Sequence, residues 1–203
     1  MTETTSRIDR RRERTRQRLV EAGRTLITEK GVAGLRIQEI TAEADVALGS
    51  FYNYFPTKED LVEAVVEESL AELGAESIVG DGSEDPAVTA AAAILRVVRL
   101  AFEAPDFARL LINLNHADVL FLRAFQPYAR VVVERGIAQK RFSVPDIDVS
   151  VNFVVGASLA LIRGILDGEH AEGAEISHTE VSLRALGVPN DEARRISQLP
   201  LSL

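Results

Sequence analysis

The sequence predicts an all-α protein, and three features carry that prediction. Apolar residues recur at helical spacing along most of the chain. Few segments alternate apolar and polar residues with β-branched side chains. Gly, Pro and Asp fall at the joints between the periodic stretches. The expected architecture is an N-terminal three-helix unit joined through a fourth helix to a larger C-terminal helical unit.

The first helix, over residues 10–30, sets Leu19, Ala22, Leu26 and the adjoining Gly23 and Ile27 on one side, and Gly31 stops it. A short second helix over 37–44 has Ile37, Ile40 and Ala44 at i, i+3 and i+7, so each helix carries one apolar stripe and the two must pack together. A third helix over 47–55 ends at Pro56, and Thr57 caps a fourth that runs to residue 73. The stretch SIVGDGSEDP, 77–86, clusters Gly, Ser, Asp and Pro. It reads as a break, because a nucleotide loop would need a preceding strand and a lysine. Helices follow over 87–103, 106–114, 117–140, 146–168 and 176–186, with a last turn over 191–197. The domains expected are 1–56 and 57–203.

Composition narrows the function. With 203 residues and 46% apolar content, the chain can bury a substantial core. The absence of cysteine excludes disulfides, thiolate zinc sites and cysteine nucleophiles, and makes cytoplasm the expected compartment. The N-terminal arginines are not followed by the apolar segment of a signal peptide, and no unbroken apolar run has the length expected to cross a bilayer. Net charge is −8, but residues 1–36 hold ten Lys/Arg against five Asp/Glu, leaving 13 against 26 over residues 37–203. Seven arginines crowd between Arg7 and Arg18, a pattern open to two readings, a solvated tail or an arm that neutralises phosphates.

The stretch DVALGSFYNYFPTKEDL, 45–61, spends four of the eleven aromatics, Phe51, Tyr52, Tyr54 and Phe55, within five residues. On a helical wheel Leu48, Phe51, Tyr52 and Phe55 share one face, while Gly49, Ser50, Asn53 and Tyr54 point the other way. So short a helix needs packing, and the phenylalanines provide it. Gly49 weakens the helix by about 1 kcal/mol relative to alanine, which suits a position where a partner's backbone comes close. Two short helices joined by a turn at Asp45, a residue that tolerates left-handed φ, have helix-turn-helix spacing. A lysine at the positive end of the fourth helix, Lys58, fits a phosphate cradle built with Thr57 and the free amides; the alternative is a surface pair with Glu59 or Glu63.

These residues resemble the DNA-binding domain of TetR-family transcriptional regulators over about the first sixty positions. The match runs from LVEAGRTLITEKG through IQEITAEADVALGSFYNYF to PTKEDL. The resemblance implies an N-terminal helix-turn-helix domain, joined through the fourth helix to a C-terminal helical ligand-binding and dimerisation domain. It implies that Gly49, Ser50, Tyr52, Asn53, Tyr54 and Lys58 meet bases or phosphates of double-stranded DNA, with the Tyr52 ring packed and its hydroxyl on a phosphate. Arg36, where the family commonly has a capping threonine, becomes a cationic phosphate contact, and Leu48 joins the set. Asp45 stands where glycine is usual, and Ala47 where serine often caps.

The C-terminal resemblance is architectural and implies a homodimer built through the last two long helices. Gly156, Ala160 and Gly164 are the dimer-interface candidates, with packing inside one chain as the alternative. A dimer would read a palindromic operator. A small effector, hydrophobic or aromatic, is expected to contact Asn113, His116, Phe121, Arg123, Phe125, Tyr128 and Asn152, with Asn115 and Gln126 as further polar candidates; Asn115 with Asp118 also fits a helix cap. Arg163 and Asp167 read as a surface pair. His116, His170 and His178 lack ligand spacing, so neither metal nor cofactor is expected, and no constellation marks an enzyme. The reading is a repressor released by its effector; the competing one is a helical adaptor that binds protein and not DNA.

Overall fold

The computed structural model describes residues 7–79, 84–114 and 116–200. Asn115 and most of the Gly- and Ser-rich stretch at 80–83 lie outside them. Among the described residues the elements are all helical: α1 (Arg7–Lys30), a 3-10 turn (Val32–Gly34), α2 (Ile37–Glu43), α3 (Leu48–Phe51), α4 (Lys58–Val79), α5 (Pro86–Glu103), α6 (Pro105–Ile112), α7 (Ala117–Ala138), α8 (Ile147–Leu166), α9 (Ala174–Ala185) and α10 (Asn190–Ser197). The chain divides into two units, residues 1–68 and 69–203, so the division falls within α4 rather than at its start.

In the first unit the stripes of α1 and α2 meet as expected. Leu19, Val20, Ala22 and Leu26 of α1 are buried, as are Leu35, Ile40 and Ala44. Gly23 allows close approach: a Cβ there would stand 3.0 Å from Leu61 Cδ2 and 3.3 Å from Val65 Cγ2 of α4. Gly31, at φ 69°, ends α1 with its amide bonded to the Ile27 carbonyl.

The third helix is shorter than its periodicity predicts. After Phe51 the chain tightens, with Asn53 N–H on Ser50 O at 3.2 Å and the Phe51 carbonyl shared between Tyr54 N–H at 2.9 Å and Phe55 N–H at 3.0 Å, a mixed last turn before Pro56. α4 begins as expected. The Thr57 hydroxyl accepts from the Asp60 amide at 3.2 Å, while an Asp60 carboxylate oxygen accepts the Thr57 amide at 2.8 Å. It continues past residue 73, through Gly74, to Val79.

In the second unit α5 is the central helix, packed on α6, α7, α8 and α9 and buried along most of its length. Asp85 caps it through the Ala87 amide at 2.9 Å, and Asp146 caps α8 through the Val149 amide at 2.9 Å. Arg141, just past α7, bonds both Asp85 carboxylate oxygens at 2.9 and 3.0 Å and Glu192 of α10 at 2.9 Å. Burial pushes the Asp85 carboxyl up, but the bonds from Arg141 and Ala87 outweigh it and hold the group below its ordinary value.

α8 corrects the expectation about apolar runs. By length and composition it is apolar enough to cross a bilayer, with a mean hydropathy of 1.8, and 44% of that window is buried inside the fold. Its hydrocarbon is divided between the core, through Val151, Val155, Leu159 and Ile162, and an exposed stripe.

Gly136 of α7 faces the buried Phe142 ring so closely that a Cβ would lie 2.0 Å from Cδ2. Gly136→Ala is therefore expected to lower unfolding free energy by about 1–3 kcal/mol through overpacking. Urea unfolding followed by circular dichroism checks this, and a variant as stable as wild type would contradict the packing.

Candidate nucleic-acid interface and ligand cavity

The outer face of the first unit is built around α3. Phe51 and Phe55 are buried, their rings 5.8 Å apart, and the Arg16 guanidinium lies 5.6 Å over the Phe55 ring. Leu48 and Tyr52, assigned to the same apolar face by the helical wheel, are instead 46% and 57% exposed. The reason is local: the α pitch ends at Phe51, so Tyr52 turns outward. Its ring meets Phe51 edge-on at 5.5 Å and is otherwise open, so it is not the packed ring the resemblance implied. Gly49 and Asn53 are exposed, Ser50 and Tyr54 half-buried, and a Cβ on Gly49 would meet nothing within 4 Å. Leu48, Gly49, Ser50, Tyr52, Asn53 and Tyr54 thus share one short segment, much of it open to solvent.

The turn before α3 is staked to α1. Asp45 has φ 49°, its carboxylate accepts from Arg18 at 3.0 Å, and its carbonyl accepts from the same nitrogen at 3.1 Å. Arg36 precedes α2 with no side-chain cap bond, exposed. Ala47 likewise supplies no cap to α3.

At the mouth of α4 one expectation is corrected. Thr57 is not a free member of an anion cradle: its hydroxyl and amide are both engaged by Asp60. The first turn also carries Glu59. What remains for an anion is Lys58, which among the described residues makes no ion pair, so the surface pairing with Glu59 or Glu63 is absent.

The second unit holds a cavity of about 80 Å³ walled by α4, α5, α7 and α8, with Leu186 at its edge. Phe121, Phe125 and Tyr128 line it, as the sequence suggested. The two phenylalanine rings lie 4.7 Å apart. The Tyr128 ring stands where a Cβ on Gly74 of α4 would lie, 2.7 Å from its Cδ2. The other polar candidates lie elsewhere. Asn113 caps the end of α6, donating to the Arg109 carbonyl at 2.8 Å. His116 takes φ 59° at the start of α7, exposed, and Arg123 is exposed on α7. Gln126 is outside the lining. Asn152 lines a separate groove between α7 and α8, together with Asp118, Gly156, Ala160 and Arg163. Phe121 and Val155 stand in the walls of both.

Sequence reasoning missed the α5 wall, Ile94 and Val97, and Ser158 of α8. Ser158 is buried with its hydroxyl 2.9 Å from the Val154 carbonyl and 2.9 Å from His178 Nε2. Burial alone pushes the His178 imidazole below its ordinary value, which keeps it neutral. A serine between the apolar residues 153–155 and 159–162, followed by a histidine on the next helix, was the available signal.

The exposed stripe of α8 runs through Val149, Phe153, Gly156, Ala160 and Arg163. Gly164 does not belong to it: steps of four residues drift by about 40° each, so Gly164 lies about 80° from Gly156. It is buried under His170, whose Cδ2 would be 2.9 Å from a Cβ there. Arg163 and Asp167 are both exposed, and no ion pair joins them among the described residues.

Known proteins resemble this chain in sequence and fold. Residues 19–65 match the bacterial regulatory proteins of the tetR family, and residues 85–198 the tetracyclin repressor-like C-terminal domain. RolR in complex with resorcinol has a TM-score of 0.82 to this chain at 32% identity, covering 96% of this chain and 98% of that one. RolR without ligand gives 0.79 at 31% identity, over 91% and 97%. The HTH-type transcriptional repressor DhaR of Mycobacterium sp. (strain GP1) is 45% identical over 58 residues, so the match spans only 29% of this chain and 29% of that curated relative. FadR of Bacillus subtilis with stearoyl-CoA, TM-score 0.60 at 16% identity over 83% and 97%, shares the fold.

Two predictions follow from this geometry. Gly49→Ala meets no neighbour, so it should leave stability unchanged or raise it by up to about 1 kcal/mol. Retention of duplex DNA should weaken by roughly tenfold, about 1.4 kcal/mol. Thermal unfolding and gel retardation on one sample separate the two. For His178, the lowered folded value means the unfolded chain takes up a proton first as pH falls below 6.5. Its contribution is intact above that pH and lost below it. The stability difference between wild type and His178→Gln should shrink by up to about 1.4 kcal/mol per pH unit below 6.5. A pH-independent difference in urea unfolding would refute the neutral buried imidazole.

Proposed function

Because the chain belongs to the tetR family of bacterial regulatory proteins, we propose that it is a DNA-binding transcriptional repressor acting as a homodimer in the cytoplasm. The observation that carries this reading is the outward surface of α3, where Gly49 leaves room above a segment presenting Ser50, Tyr52 and Asn53. A backbone without a Cβ suits close approach of a phosphate, and the neighbouring side chains are hydrogen-bonding types that reach base edges. Arg36 and Lys58 supply cationic contacts at the two flanks, and Tyr54 and Leu48 complete the face. The functional division is taken at residue 56, so that α4 starts the effector-responsive part.

The exposed stripe of α8, with Val149, Phe153, Gly156 and Ala160, is the surface on which a second copy packs. The apolar side chains left open there support this, together with Val181 on α9. A two-fold dimer presents two reading helices about one turn of duplex apart, hence a palindromic operator.

The cavity among α4, α5, α7 and α8 is assigned to a small apolar or aromatic effector. Its hydrocarbon and aromatic walls favour such a molecule, and so does the likeness to RolR, a protein that binds resorcinol. Occupancy acts through Tyr128, whose ring already abuts Gly74 of α4, the helix that starts at Lys58. An effector that pushes this ring biases α4 and weakens operator binding by its differential affinity for the two states.

Gel retardation with duplexes selected from a random pool tests the reading. Affinity should fall steeply with salt, each neutralised phosphate adding about 0.9 to the logarithmic slope. Lys58→Ala should weaken all sequences alike and flatten that slope by about one contact. Asn53→Ala should also relax sequence preference, and equal loss on matched and mismatched duplexes would remove Asn53 from base reading. Protein with native helicity that retains no duplex at low salt would support the adaptor reading instead.

A further inference from the structure

Resting on the reading of this chain as a DNA-binding repressor, we propose that Arg10, Arg11 and Arg14 of α1 form a cationic stripe that holds the phosphate backbone of the duplex flanking the operator half-site.

Around α1 these arginines are not scattered. At about 100° per residue, Arg10, Arg11, Arg14 and Arg18 fall within an arc of roughly 100°, and between residues 9 and 18 every position in that arc is an arginine. The carboxylates of the stretch, Asp9 and Glu13, lie outside it, between the azimuths of Arg16 and Gln17. That side is turned to α4, where Arg16 and Gln17 bond Glu68 at 2.9 and 3.0 Å. Arg18 fixes where the stripe begins. It donates to the Asp45 carbonyl at 3.1 Å and carboxylate at 3.0 Å, in the turn that leads into α3. From beside that turn the stripe runs along α1 to Arg10, eight residues or roughly 12 Å away. Glu21, on the same side one turn beyond Arg18, ends it.

The fold makes no use of this surface. Residues 9–14 are all exposed, even Arg12, which lies close in azimuth to the buried Leu19 and Leu26, so α1 projects past its core. Among the described residues Arg10, Arg11 and Arg14 make no ion pair. Arg10, Arg14 and Arg18 are spaced i, i+4, which sets like charges side by side, and cations in the first turns of a helix oppose its dipole. Both effects work against the helix standing alone. A polyanion laid along the stripe reverses them.

Duplex DNA fits the stripe in charge spacing. Each strand carries one charge per 3.4 Å of axis, so roughly 12 Å spans three or four phosphates for the three unpaired guanidiniums. A lipid surface fits poorly, because residues 9–18 include no apolar side chain to enter a bilayer interface. Arginine bonds to phosphate oxygens position a protein on the duplex without reading bases. The stripe therefore adds affinity and salt dependence, and no sequence preference.

Gel retardation of the full-length protein over a salt series tests the proposal, using a selected site with long flanks or trimmed to the site itself. Arg10→Gln, Arg11→Gln and Arg14→Gln together should lower the logarithmic salt slope by about 2.7, about 0.9 for each contact. Glutamine keeps the helix propensity of arginine, and circular dichroism checks the fold. Matched and mismatched duplexes with long flanks should lose affinity by the same factor. On the trimmed duplex, wild type and triple variant should agree within roughly twofold. Arg14→Gln alone should take about 0.9 from the slope, and Arg12→Gln, off the stripe, less than about 0.3. A triple variant with the wild-type slope on long flanks overturns the proposal and leaves the repressor reading intact. So does equal loss from Arg12→Gln and Arg14→Gln, the mark of diffuse charge, or a loss undiminished on the trimmed duplex. Should the triple variant lose helicity, the two single variants decide. Wild type that retains no duplex at low salt sinks both the stripe and the repressor.

Discussion

Burial of Phe51 and Phe55 is the contact on which the outer face of α3 depends. α3 is a single turn, too short to hold its shape in water, so its orientation comes from the two rings sunk into the first unit. With those rings fixed inward, Gly49 and Asn53 have nowhere to go but out. The neighbouring supports are all positional. Arg18 holds the turn at Asp45, Arg16 covers Phe55, and Gly23 lets α1 and α4 close on each other. The exposed pairs among these contribute little free energy. Their effect is to limit where a four-residue helix can point.

The second unit solves a different problem, a large apolar core with a small space left in it. α5 is buried on most sides, so the space is enclosed chiefly by hydrocarbon, and the single serine of the α8 wall must satisfy its hydroxyl locally. It does so through its own helix and through His178 of α9. That pairing leaves the buried hydroxyl satisfied without water. The Arg141 bridge from Asp85 to Glu192 ties the start of α5 to α10. It holds one end of the cavity's main wall in place.

α8 connects these functions because its apolar residues face two directions. One side closes the cavity through Val151, Val154, Val155 and Ser158, and the other is the exposed stripe. Phe121 and Val155 separate the cavity from the groove that contains Gly156 and Ala160. Cavity and groove therefore share side chains, so a shift of either residue alters both. The mean hydropathy of this helix comes from apolar residues on both its buried and its exposed sides.

The sequence by itself determined the helical architecture, the order of the elements and the helix-turn-helix, since apolar period and punctuation are local properties of the chain. Thr57 announced its cap for the same reason. Three of the sequence's effector candidates, Phe121, Phe125 and Tyr128, line the cavity, because large aromatics gather where a core is thick. Tertiary structure alone decided that Tyr52 turns outward, that Thr57 is occupied by Asp60, and that Gly164 lies under His170 rather than on the stripe with Gly156. It also placed Asn113, His116 and Arg123 away from the cavity and put Ser158 beside His178. Each of these rests on where a helix ends, how far four-residue steps drift around it, or which distant helix arrives opposite. Those quantities depend on packing between segments far apart in the chain, and a one-dimensional pattern carries no record of them.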